Sequence, residues 1–154
     1  MKWFLGLILS LASLDAVAGA IPFPSCTINN QPVRYVSAPS DYKNSYYARG
    51  GYVYIAESGF VDGYPVISYN PAFLSQKPKE WNLQVMLHEC AHLKIHAIPN
   101  RHPPTKEYEA DCHSANRMKS DYGYKNEDFD IVIETMKEVL PQDRITAFKT
   151  CLNY

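Results

Sequence analysis

The 154-residue chain has no charge excess to speak of: 15 Lys and Arg against 16 Asp and Glu leave a net charge of −1. That balance excludes the broad basic surface that holds nucleic acid or an anionic bilayer by charge, so neither is expected as a partner. The chain also lacks internal repeats, low-complexity tracts and any linker long enough to divide it. Beyond the first twenty residues there is no apolar run of the length, about 20 residues, that a membrane helix needs. The four cysteines, Cys26, Cys90, Cys112 and Cys151, include no closely spaced pair, which argues against a zinc ribbon or finger built from all four.

What is present begins with MKWFLGLILSLASLDAVAGA, which joins Lys2, an apolar run from Trp3 to Leu14, and Ala18-Gly19-Ala20. A basic start, a short apolar stretch and a small-residue cleavage site are the parts of a secretory signal peptide. The expected organisation is a signal over residues 1–20 and one domain over 21–154, secreted or periplasmic and not membrane-attached after cleavage. Lys2 and Asp15 leave together, so the net charge does not change. A chain of the remaining length buries roughly two-thirds of its unfolded surface, enough for one core. In an oxidising compartment four cysteines read as two disulfides, with three connectivities open.

Strand-like runs fill the front half: Val33–Val36, Tyr52–Ala56 and Tyr64–Tyr69. They are rich in aromatic and β-branched residues, and Pro65 predicts an edge position for the third. Asn70-Pro71 has the form of a cap and first turn for a short helix. Lys79 to Ala97 has no Gly or Pro and is apolar around most of its middle, which predicts a helix buried on nearly all sides. Pro99 ends it. A second helix is expected from Thr105 to about Tyr122, a third over Phe129–Leu140 and a short fourth over Asp143–Leu152. The fold class is therefore α+β, a small N-terminal β-sheet followed by a helical layer.

The buried helix contains His88-Glu89-Cys90-Ala91-His92. Residues four apart share a helix face, so His88 and His92 can hold one metal ion between them. Glu89 is about 100° round from His88, within reach of a water at that ion. Burying unpaired polar groups is costly, so two histidines and a glutamate in an apolar helix imply a metal role. A third protein ligand is still required. The histidine that a metzincin would carry six residues after His92 is absent, because Ile98 stands there. Glu107, Glu109 and Asp111, in Glu107-Tyr108-Glu109-Ala110-Asp111 on the next helix, are the candidates, with Glu107 and Asp111 on one face.

HECAH followed by EYEAD resembles the gluzincin pattern H-E-x-x-H and E-x-x-A-D, as found in compact minigluzincins and in the soluble core of the CAAX-prenyl-protease type. The Tyr69–Leu74 run and Trp81 resemble the lead-in of small gluzincins, so the likeness spans Val66 to Arg117, about a third of the chain. It implies a zincin-like domain with one Zn2+ per chain, held by His88, His92 and Glu107. It also implies Asp111 as acceptor for a ligand histidine, most directly His88, and Ala110 as a small residue for close helix packing. Transmembrane helices of the prenyl-protease type are missing, so no lipidated membrane substrate follows.

The expected activity is peptide-bond hydrolysis, with Glu89 as general base taking the proton of a zinc-activated water. His102, Tyr122 and Tyr124 are candidates to stabilise the oxyanion; His113 faces away from Glu107, and His96 lies one turn beyond His92. In gluzincins an edge strand beside the zinc helix takes an extended peptide, and Val66, Ile67 and Ser68 stand where that strand is expected. The partner is then a peptide or protein substrate, and the chain is expected to be a monomer. A secreted zinc-binding module with weak or no hydrolysis is the alternative, and a disulfide-stapled structural protein a third reading. Cys90 points away from the two histidines and Cys112 follows Asp111, so the expected disulfides are Cys90–Cys112, clamping the ligand helices, and Cys26–Cys151.

Overall fold

A computed structural model describes residues 20–38, 54–95 and 104–153 of the chain. Strands β1 (Thr27–Ile28) and β2 (Gln31–Pro32) form a small hairpin. Its turn is Asn29-Asn30, both with positive φ, a conformation that asparagine tolerates better than most residues. Strands β3 (Arg34–Ser37), β4 (Ala56–Val61) and β5 (Tyr64–Tyr69) form a second sheet in the order β3-β5-β4. Asp62-Gly63, with φ of 50° and 79°, closes β4 onto β5 as a two-residue hairpin. Positive φ at both central residues is the geometry that matches strand twist, and Asp-Gly is a preferred pair for it.

Two expectations about strands need correction. The second strand is Ala56–Val61 and not Tyr52–Ala56; Tyr52 and Val53 lie outside the described residues. The Asp62-Gly63 turn decides this, because it sets the six residues before it against the six after it in spite of Glu57 and Gly59. The third strand, β5, is central and not at the edge. Val66, Ile67 and Ser68 pair with Arg34, Tyr35 and Val36 on one side and with Gly59, Ser58 and Glu57 on the other. Their backbone therefore has no side left for an added peptide. Pro65 is tolerated because the β3 pairing starts only at Val66, so at Pro65 itself the strand has one neighbour, Phe60.

Five α-helices follow among the described residues. Helix α1 (Pro71–Leu74) is capped by Asn70, whose side-chain oxygen accepts from the Phe73 N–H at 3.2 Å. Helix α2 (Lys79–Ile95) carries His88-Glu89-Cys90-Ala91-His92, and α3 (Pro104–Tyr122) carries Glu107-Tyr108-Glu109-Ala110-Asp111. A 3₁₀ turn (Asn126–Phe129) leads into α4 (Asp130–Val139), and α5 (Gln142–Leu152) comes last. Helix α2 is the axis of the core: every residue from Trp81 to Leu93 is buried. It packs against α3, α4 and the β4–β5 hairpin together, which is why its sequence shows no polar stripe. The fold is α+β, small sheets followed by a helical layer.

The disulfides join other pairs than expected: Cys26 to Cys90, with Cα atoms 6.1 Å apart, and Cys112 to Cys151, at 5.2 Å. The helical period gives the reason. Cys90 is about 200° round α2 from His88, so it turns its back on α3 and meets the N-terminal segment. Cys112, about 100° round α3 from Asp111, faces α5 instead of α2. Arg117 reinforces the first bridge, donating to the Ser25 carbonyl at 3.2 Å and to the Cys90 sulfur at 3.7 Å. With sequence separations of 64 and 39, each bridge contributes about 4 kcal/mol in the chain-entropy picture. Mass mapping of a non-reduced digest is expected to find Cys26 linked to Cys90 and Cys112 to Cys151; a Cys90–Cys112 peptide pair contradicts this packing.

Candidate metal centre

Helices α2 and α3 run antiparallel: Gln84 meets Asp111 and Ser114, while two turns further on His92 meets Glu107. Ala110 and Ala115 on α3 are fully buried. At this interface His88, His92 and Glu107 form one group whose ligand atoms all lie within 4.8 Å of one another. The two Nε2 atoms are 2.9 Å apart, and each is 3.2 Å from a Glu107 oxygen, His88 from Oε2 and His92 from Oε1. Ligand atoms on a tetrahedral ion with bonds of about 2.0–2.1 Å stand about 3.3–3.4 Å apart, so the donor set fits zinc. Two buried imidazole nitrogens facing each other require something between them, a proton or a metal ion.

Asp111 stands behind His88, its Oδ1 2.7 Å from Nδ1. A carboxylate there fixes the ring and draws the proton to Nδ1, leaving Nε2 as the ligand. Asp111 is completely buried and also receives Gln84 Nε2 at 3.2 Å. Glu109 is exposed and outside the group, so of the three acidic candidates Glu107 is the one at the histidines. Glu89 is buried on α2 next to His88 and is not part of the three-residue group.

Arg144 was not visible as a site residue in the sequence. It projects from α5, donates from Nε to Asp111 Oδ2 at 2.9 Å and from Nη2 to Oδ1 at 2.8 Å, and brings Nη1 to 2.8 Å from Glu107 Oε2. Its partners are over thirty residues away, and an arginine inside a short helix carries no local mark. The one available signal is electrostatic: two carboxylates four apart on a buried helix face need a cation.

Burial works against charge on His88, yet the Asp111 carboxylate and the Glu107 contact outweigh it and push its pKa up to about 10. Burial would raise the Glu107 carboxyl, but His88 and His92 hold it well below the usual carboxylate range. Asp111 is also held low, with burial opposed by His88 and Arg144. In the metal-free site the Glu107 and Asp111 carboxylates therefore face the Arg144 guanidinium and the His88 imidazolium, and a metal at His88 must displace that proton.

Other candidates fall away from the centre. Tyr122 is fifteen residues beyond Glu107, about 22 Å along the helix. Tyr124 packs on Phe129 with ring centroids 6.0 Å apart. Both line a largely apolar cavity of about 260 Å³ at the Lys79 end of α2 with Pro22 and Leu83, away from the metal group. His113 has its pKa lowered by burial and by Lys94 and Arg117, and takes no part in the group. His96 and His102 lie outside the described residues. Val66, Ile67 and Ser68 are in the central strand, where Ile67 is fully buried and Ser68 Oγ accepts from Tyr54 at 2.6 Å.

Compared with protein families, curated proteins and solved structures, the chain matches none. The metal reading therefore stands on the residues themselves.

His88 gives a pH dependence with a fixed sign. Its pKa rises from 6.5 to about 10 on folding, so its contribution to stability is complete below pH 6.5 and is lost as pH approaches 10. The thermal midpoint of chelator-treated protein is expected to fall across that window, and less steeply in Asp111→Asn. A midpoint in the metal-free protein that is flat or rises over the same range contradicts the His88–Asp111 pairing.

Proposed function

We propose that the chain is a zinc-dependent peptidase of gluzincin type, working outside the reducing cytosol on a peptide or protein substrate. The observation that carries this reading is the meeting of His88 Nε2, His92 Nε2 and the Glu107 carboxylate in one buried group, with Asp111 behind His88. Two imidazoles and a carboxylate suit zinc, and leave a coordination position for water. Two disulfides support an oxidising location, and no described helix is long and apolar enough to cross a membrane.

Bound zinc supplies Lewis acidity, lowering the pKa of a water to about 7 and polarising a carbonyl. The chain's own residues do the rest. His88 and His92 fix the position of the reacting centre from one rigid helix. Glu89, one residue from His88, accepts the water proton on its carboxylate and returns it to the leaving amine nitrogen. Asp111 keeps His88 in the tautomer that offers Nε2. Strand β4 is at the outside of the three-stranded sheet among the described residues and makes more of the sheet's contact with α2 than β5 does. If a peptide aligns with this sheet, it does so there and not on β5.

A zinc-binding module without hydrolysis is the second reading, favoured by the low exposure of His88, His92 and Glu107 side chains, 8%, 6% and 13%. Glu89 separates the two, because a site that only binds metal has no use for it. Glu89→Gln is expected to keep one zinc per chain while cleavage of a diverse peptide library falls by about 10²–10⁴-fold. Glu107→Gln is expected to lose most of the zinc. A wild type that holds zinc and cleaves no peptide sinks the peptidase reading.

A further inference from the structure

We infer that Gln84 is a positioning residue for the metal centre: its side-chain amide holds the ligand helices α2 and α3 in register before any ion binds. The inference rests on the zinc reading of the His88, His92 and Glu107 group. Gln84, His88 and His92 are spaced by four, so they stand one above another on the face of α2 that meets α3. Each makes a polar rung across that interface. His92 reaches Glu107, and His88 reaches Glu107 and Asp111. Gln84 reaches Asp111 and Ser114, with Nε2 3.2 Å from Oδ1 and 3.4 Å from Oγ.

The partners fix which way the amide points. The Asp111 carboxylate only accepts, and the Ser114 hydroxyl donates to the Asp111 backbone carbonyl at 2.7 Å, leaving its lone pairs for Gln84. Gln84, Asp111 and Ser114 are all buried, so water does not compete for these contacts. Gln84 also differs from the two histidines on its face, because it neither titrates nor binds the ion. Its rung needs no proton and no metal. Arg144 grips Asp111 from α5, at 2.9 and 2.8 Å, and Cys112–Cys151 ties α5 to α3, so both act within the α3–α5 pair. Gln84 links that carboxylate to α2, one turn from the ring whose Nδ1 it supports at 2.7 Å. Apolar packing tolerates a small slip along the helix axis, whereas a buried polar contact favours one register.

Two variants test this. Gln84→Met keeps the length of the side chain and removes the donor; Gln84→Asn keeps the donor and withdraws it by one methylene. Zinc affinity is measured by competition with a chromophoric chelator and expressed per folded protein, beside the thermal midpoint of the metal-free protein. We expect affinity to fall about 10-fold in both variants, the lower end of the range for loss of a ligand's support. The midpoint of Gln84→Met should stay near that of wild type, since an apolar chain of similar volume replaces a buried amide. Wild-type affinity in the folded variants, whatever their midpoints, overturns the inference and leaves the zinc site standing. Should neither variant fold, amide proton exchange in the wild type decides. The Gln84 side-chain protons should be protected in metal-free and zinc-loaded protein alike, and free exchange without metal overturns the inference. A wild type that takes up no zinc overturns the site reading, and the role of Gln84 with it.

Discussion

Helix α2 carries two histidines and a glutamate into the core, and the rest of the molecule is arranged to make that tolerable. An unpaired ionised group costs several kcal/mol to bury, so the ring of His88 is stable there only because Asp111 stands at its far nitrogen. Asp111, itself fully buried, needs the two donors of Arg144 and the amide of Gln84. The centre is thus a chain of mutual obligations running from α2 through α3 to α5. Removing one member leaves a neighbour uncompensated, which is more damaging than the loss of a single contact.

The two disulfides tie down the helices that carry this network. Cys26–Cys90 fixes the N-terminal segment to the back of α2, between the positions of the two histidines, and Cys112–Cys151 fixes α5 to the back of α3. Neither bridge crosses the interface where the ligands meet. Side chains at that interface are joined by hydrogen bonds and ion pairs, while the covalent ties restrain the helices that carry them. An arrangement with Cys90 bonded to Cys112 would place a bridge where helical geometry turns both cysteines away.

Most of the helical layer was legible because its signals are local. The lack of Gly and Pro from Lys79 onward, the Asn70-Pro71 start and the helical spacing of apolar residues in α4 are each read within one helix. A spacing of four makes His88 and His92, and Glu107 and Asp111, legible as pairs that share a helix face, while the choice of Glu107 as the residue at the histidines comes from the resemblance. The sheet is less legible. Tyr64–Tyr69 is legible as a strand, but its neighbours depend on pairing with β3, whose partner residues lie 32 positions earlier, and no local pattern encodes that. Pro65 was a true mark of an unpaired side, valid at that residue only. The Asp62-Gly63 hairpin was available as a signal and would have located β4. The partners of the cysteines and the place of Arg144 are not legible, because they depend on where the N-terminal segment lies against α2 and where α5 lies against α3.

The central claim is that one metal ion is held by two imidazoles and a carboxylate. X-ray absorption at the zinc edge of the zinc-loaded protein tests it most directly. The account predicts a first shell of nitrogen and oxygen at about 2.0–2.1 Å with two imidazole scattering patterns and no sulfur. Sulfur at about 2.3 Å, or fewer than two imidazoles, would contradict it.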